Sequence, residues 1–423
     1  MSVKGCDPMI KNTCSTPLWP AACPAPAQYP WLAADEACEV AVIGGGVTAA
    51  MCAFRFAEAG IDTVLVSASP IGFGGSASSS GMMTLSSGAL VALAEAIGPE
   101  RTMSAVSLLL ESLGNLEGLC SSWGNSCGFR RKDSLLYTAK AEEAGKLRRE
   151  YSFRLHNGME VELLDPIAAS NQFTFPMEAG VYAKNTAAQV DPYRLTQAAV
   201  HAAAEKGARI YENTAVTALN PPGEDELILE CSTHRRVKAR YAVMAAGLDT
   251  HRYCGGIGQI GTTYLLATEP VAEFAGWRGA CLIQREGDAR LYITVTPDKR
   301  ILIGGLDSSV MDEKGRVARL INLQSLAEKR HHTLAYTLRQ MFPAIRNITA
   351  EYVWAARDAR TEDGLPIIGR LPDDSRVAYA LCCGDNGILY AEAAARLLLG
   401  QYRGEDNQQL GLFSPNRSWR VKR

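Results

Sequence analysis

The chain has no long apolar run, no paired-cysteine motif and no excess of basic charge, and each absence weighs against a class of function. Its longest uncharged stretch in an apolar setting, residues 40–54, contains three consecutive glycines and stops at Arg55. A spanning helix needs about 20 apolar residues, so neither a membrane span nor a secretory leader is expected. The twelve cysteines contain no C-x-x-C pair, which leaves zinc and iron–sulfur ligation without a pattern. Several, such as Cys52 and Cys382, fall inside apolar runs where cysteine behaves as a small hydrophobe; a reduced, cytoplasmic protein is expected. With 43 basic against 45 acidic residues the net charge is −2, so no general field is available to hold nucleic acid or anionic lipid.

What is present is the composition of a globular enzyme. At 423 residues, 47% hydrophobic and 21% charged, the chain is long enough for two domains or one interleaved unit. Residues 1–37 carry six prolines between Pro8 and Pro30 and no periodicity, which reads as an irregular arm that Trp19 and Trp31 could pin to the body. From Cys38 onward, short β-branched runs alternate with helical stretches, the mark of a parallel α/β sheet. Asp191-Pro192 opens a helix that Gly207 closes before a strand over 208–212. A late unit repeats the pattern: a strand over 377–382, a turn at 384–387, and a helix over 388–399 ended by Gly400. A hairpin is expected between 291–296 and 301–303. Parallel units and hairpins in one chain imply a nucleotide-binding domain interleaved with an antiparallel substrate domain.

The chemistry is carried by a strand that runs into Gly44-Gly45-Gly46-Val47-Thr48-Ala49 and then a helix ending at Gly60. Gly44 permits the tight turn, Gly46 lets backbone approach a pyrophosphate, and Ala49 lets the helix pack on the strand. A second strand over 63–67 follows, which is the context a dinucleotide motif requires. Its end carries Ser67 where an acidic residue normally receives the ribose hydroxyls. Serine can still bond one hydroxyl, without charge assistance.

With these motifs the sequence resembles the D-amino-acid oxidase, glycine oxidase and sarcosine oxidase (DAO) family of FAD enzymes, from about Cys38 to Gly400. The small-residue run from Gly74-Gly75-Ser76-Ala77 to Gly81 resembles the family segment that wraps the pyrophosphate and passes under the flavin. Val190-Asp191-Pro192, Ala245-Ala246-Gly247, Thr268-Glu269-Pro270, Trp354-Ala355-Ala356, Asp363-Gly364-Leu365-Pro366 and Gly384-Asp385-Asn386-Gly387-Ile388 follow in the family's order. The resemblance implies a Rossmann-like FAD-binding domain of the glutathione-reductase type, α/β within an α+β whole, over 38–90, 181–250 and 345–405. It implies a substrate-binding domain over 91–180 and 251–344, with a tail from 406. Val216 joins the implied cofactor contacts. A helix starting after Gly384 would aim its N–H groups at the flavin pyrimidine edge.

Two departures bear on activity. No cysteine or histidine stands in a matching attachment motif, so noncovalent FAD is expected. The family's amino-acid oxidases carry a carboxylate-clamping arginine four residues after this tryptophan, and here that position is Asp358. Asp358 either pairs with Arg357 or Arg360, or faces the cavity and selects an amine. Tyr292, on the hairpin strand that faces substrate in the family, is the other candidate contact. The resemblance thus implies hydride transfer from the C–N bond of a small amine or amino acid to flavin N5, followed by imine hydrolysis. Dioxygen, or a quinone or partner protein, would accept the electrons; the oxygen-assisting lysine of family oxidases finds no matching counterpart, since Lys299 sits in the hairpin turn. An RNA-modifying flavin module is disfavoured by the charge balance, and a plain NAD enzyme by the later motifs.

Overall fold

The computed structural model describes residues 14–23, 27–85, 88–220, 226–254, 259–287, 290–309, 323–346, 348–361, 363–371, 374–382, 384 and 386–417. Two sheets organise it. In the first, strands Asp374–Leu381, Arg236–Met244, Glu36–Ile43, Thr63–Val66 and Arg209–Tyr211 run parallel in that order, with Ile367–Leu371 antiparallel at one edge. Buried on both faces, Val40, Ala41 and Val42 are wholly inaccessible, which explains why this strand reads as continuously apolar. Helices Val47–Glu58, Gly387–Tyr402 and Pro192–Glu205 share one core on this sheet, joined by Leu90–Ile97 and Pro99–Ser122. Asp191 caps its helix as expected, accepting the N–H groups of Tyr193 and Arg194 at 3.0 Å each.

The second sheet orders strands Ala350–Arg360, Gln259–Pro270, Arg300–Ser309, Leu291–Val295, Leu282–Arg285, Arg130–Thr138, Ala179–Gln189 and Met82–Met83. Its neighbours are antiparallel except Leu282–Arg285 against Arg130–Thr138. Helix Leu323–Met341 packs on it around a separate apolar cluster. The expected hairpin forms, and Lys299 takes the left-handed conformation (φ +66°) in its turn.

Several sequence boundaries move. Residues 181–189 and 350–360, assigned from sequence to the FAD-binding domain, are strands of the second sheet, because strand pairing is decided by partners far away in the chain. Helices Leu90–Ile97 and Pro99–Ser122, assigned to the substrate domain, bury their apolar faces in the core of the first sheet. Gly400 does not end its helix, which continues to Tyr402; Gly404 (φ +76°) makes the terminal turn. The stretch read as irregular holds a short helix, Leu18–Ala22, with Trp19 buried at 3% exposure, whereas Trp31 is 57% exposed. Cys52, Cys120, Cys127, Cys231 and Cys281 are buried as free thiols. No helix among the described residues is long and apolar enough to cross a membrane.

Candidate active site

The three glycines of the motif do different jobs. Gly44 sits at φ +137°, and a Cβ there would lie 2.2 Å from the Ala245 carbonyl oxygen. A Cβ on Gly45 would lie 2.1 Å from Ser67 Oγ. Both positions are closed by the protein itself. Gly46 is different: the nearest atom to its Cβ would be Ser76 Oγ at 3.4 Å, and the residue lines a cleft. Helix Val47–Glu58 starts here with no acidic residue in its first turn, and the Ser76 hydroxyl accepts the Val47 N–H at 2.9 Å. Helix Gly387–Tyr402 opens on the same cleft through Gly387 and Ile388, again with no acidic residue in its first turn. Asn386 holds that start in place by accepting from Thr84 Oγ1 at 3.0 Å. Two helix N-termini therefore project partial positive charge into one space.

The segment at 78–80 forms a wall of the cleft, and three side chains hold its carbonyls from behind. Trp354 Nε1 donates to Ser78 O at 3.0 Å, Trp19 Nε1 to Ser79 O at 2.7 Å, and Gln189 Nε2 to Ser80 O at 3.2 Å. Gly81 turns the chain out of this wall at φ +70°, where a Cβ would lie 2.1 Å from Val190 O.

The second sheet supplies the other end of the cleft, including Thr263, Gln284, Arg290, Tyr292 and Arg357. Tyr292 is nearly buried, and its hydroxyl shares a 3.1 Å hydrogen bond with Thr263 Oγ1. Gly304, its register partner, makes room for the ring: a Cβ there would come within 2.3 Å of it. Arg290 stands with its guanidinium carbon 5.2 Å from the Tyr292 ring centre and bonds Asp307 at 3.2 Å. Among the described lining residues the two arginines are the charged side chains, and Asp307, which pairs with Arg290, is not part of the lining. The cleft is partly open to solvent.

Of the residues expected from sequence, Gly46, Val47, Ser76, Gly247, Gly384, Gly387, Ile388 and Tyr292 line this cleft. Gly44, Gly45, Ala49, Ala77, Gly81, Ala246 and Asn386 stand beside those residues in the chain and outside the lining. Val216 lies on the strand Val216–Asn220, packed against the apolar cluster on the far face of the first sheet. Ser67, expected at the ribose, is 2% exposed, and its hydroxyl donates to Ser69 O at 2.6 Å, closing its own turn. The carboxylate in this region is Glu212, which accepts the N–H of Ile71 at 2.6 Å and of Tyr29 at 3.1 Å. Asp358 pairs by backbone with Gly261, and its side chain lies outside the described residues. Arg360 reaches Asp307 at 3.1 Å.

Sequence reading missed Arg290 as a cleft residue and took Arg357 only as a partner for Asp358. Strand alternation offered a signal for Arg290, two residues before Tyr292. Trp19 was marked only as an anchor, and Gln189 carried no local signal.

The arrangement fits a dinucleotide. Gly46 is a cradle that any side chain would fill, and the N–H of Gly46 with the Ser76 hydroxyl, which the Val47 N–H holds in place, could hold a pyrophosphate. The sequence profile described as FAD dependent oxidoreductase (DAO) matches residues 39–400. The gamma-glutamylputrescine oxidoreductase of Escherichia coli (strain K12) is 23% identical over 380 residues, 87% of this chain and 84% of that protein. A glycine oxidase of Bacillus subtilis (strain 168) is 30% identical over 218 residues, 49% of this chain and 53% of its own. The crystal structure of glycine oxidase from Geobacillus kaustophilus superposes with a TM-score of 0.73 at 22% identity, covering 90% of this chain and 99% of that one, so the fold is shared. With its match spanning both sheets and the cleft between them, the chain belongs to the DAO family of FAD-dependent oxidoreductases.

Proposed function

We propose that the protein binds FAD noncovalently and oxidises the C–N bond of a small amino acid or related carboxylate-bearing amine. The observation that carries this reading is the charge at the second-sheet end of the cleft, where Arg357 and Arg290, the latter paired with Asp307, are the charged residues among the described lining. Such a lining attracts an anion and disfavours a free cation.

When bound, the flavin supplies the hydride acceptor, and water hydrolyses the resulting imine to a carbonyl with release of ammonia or an amine. The chain's own part is binding, orientation and exclusion of water. Gly46 and Ser76 would hold the pyrophosphate, and the N–H of Ile388 at the start of its helix would face the end of the cofactor that gains negative charge on reduction. Arg357 and Arg290 would fix the substrate carboxylate, which places the C–N bond by distance rather than by side-chain acid–base chemistry. Met82, Leu265 and Leu381 line the cleft with apolar surface that displaces water.

Arg357→Met keeps the length of the side chain and removes the charge. Loss of one charge-assisted contact corresponds to about a 10- to 100-fold rise in KM for the amino acid, with little change in FAD affinity. An unchanged KM would remove Arg357 from the substrate site and withdraw the charge argument with it.

A further inference from the structure

We propose that the described stretches 14–23 and 27–32, upstream of the family match at residue 39, act as a strap that sets the cleft wall at 78–80, with Trp19 as its positioning residue. At one end, Cys14 adds to the edge of the second sheet: its N–H donates to Glu351 O at 2.8 Å and its carbonyl accepts from Val353 N at 3.0 Å. At the other end, Glu212 N donates to Pro30 O at 3.0 Å, and Leu32 N donates to Thr214 Oγ1 at 3.1 Å. The strap thus touches both sheets. Between these anchorages the Leu18–Ala22 helix buries Leu18 and Trp19 at 1% and 3% exposure, in a cluster with Met82, Tyr193 and Trp354.

A buried indole could be satisfied in many ways. Here its N–H is spent on Ser79 O at 2.7 Å, the middle carbonyl of a wall whose opposite face lines the cleft. The flanking carbonyls are held by Trp354 and Gln189, residues inside the matched region, so the middle one depends on the segment outside it. A wall fixed before the cofactor arrives spares the ordering that binding would otherwise require.

The test is Trp19→Phe in the full-length protein, which keeps most of the apolar bulk and removes the donor. FAD is titrated into the apoprotein by flavin fluorescence, with the visible spectrum of bound flavin and the Tm of the apoprotein measured alongside. The expected result is FAD affinity about three- to tenfold weaker, the range of one neutral hydrogen bond, with an altered visible band. Leu334→Ala, in the remote core of the second sheet, controls for loss of stability alone. The proposal is overturned if Trp19→Phe leaves FAD affinity unchanged, or if Leu334→Ala weakens FAD as much at a comparable fall in Tm.

Discussion

Trp19 and Trp354 donate their indole N–H groups to adjacent carbonyls, Ser79 at 2.7 Å and Ser78 at 3.0 Å, from opposite ends of the chain. Both rings are buried at 3% exposure in one cluster, so each hydrogen bond satisfies a group that would otherwise be stranded in apolar surroundings. The consequence is a rigid wall facing a cleft that two helix N-termini make positive.

Gly44 and Gly46 separate folding from cofactor binding. Gly44→Ala places a Cβ against the Ala245 carbonyl in a left-handed conformation, and is expected to destabilise the apoprotein by about 3 kcal/mol or more. Gly46→Val meets open cleft, so the apoprotein should fold with a near-normal Tm while FAD binding is lost. Thermal melts with and without FAD read both effects.

Asp363 and Arg417 form a buried ion pair, with Nε to Oδ2 at 2.6 Å and Nη2 to Oδ1 at 2.8 Å. Burial alone would raise the Asp363 pKa, but the Arg417 guanidinium and the Leu365 N–H hold it below the ordinary 3.8. A carboxylate depressed in the folded state binds fewer protons there than in the unfolded chain. Its contribution is therefore complete above pH 3.8 and is lost as pH falls through the lower folded value. Arg417→Leu leaves a buried charge unpaired, and should cost about 3–5 kcal/mol at neutral pH by denaturant melts.

Much of this was legible in the sequence, and for identifiable reasons. The glycine motif, the Asp191 cap, and the late strand and helix are local signals and form, although that helix runs past Gly400 to Tyr402 and Asp385 of the turn lies outside the described residues. Strand membership of 181–189 and 350–360 was not legible, because pairing belongs to distant partners. At Ser67 the sequence shows a hydroxyl at a strand end but not that Ser69 O receives its proton. The cleft arginines and the grip of Trp19 on Ser79 depend on side chains brought together only by the fold.

Noncovalent FAD predicts that acid precipitation releases the yellow colour into the supernatant. The sequence offers no cysteine or histidine in an attachment motif, and Cys382, which lines the cleft, has its thiol 3.4 Å from the Tyr390 carbonyl as donor. Absorbance of pellet and supernatant near the flavin bands decides it; colour held in the pellet means a covalent link.

Asp358 follows Arg357 on its strand, where the family's clamping arginine would stand. With Arg357 and Arg290 holding a carboxylate, Asp358→Asn removes a nearby negative charge and should leave KM for amino acids unchanged or lower it. A KM for amines that rises instead, with the flavin spectrum unaltered, is the outcome for an aspartate that binds the substrate ammonium.

The central claim is that this cleft takes a carboxylate-bearing amine, and anaerobic stopped-flow reduction of the bound flavin tests it most directly. Matched pairs are compared, each an amino acid and the amine left when its carboxylate is removed, such as glycine with methylamine and D-alanine with ethylamine. The account predicts that within a productive pair the amino acid reduces the flavin at least about tenfold faster at equal subsaturating concentration, as one retained charge-assisted contact implies. Faster reduction by the amines would contradict it, and would move substrate selection from the two arginines to a negative group in the cleft.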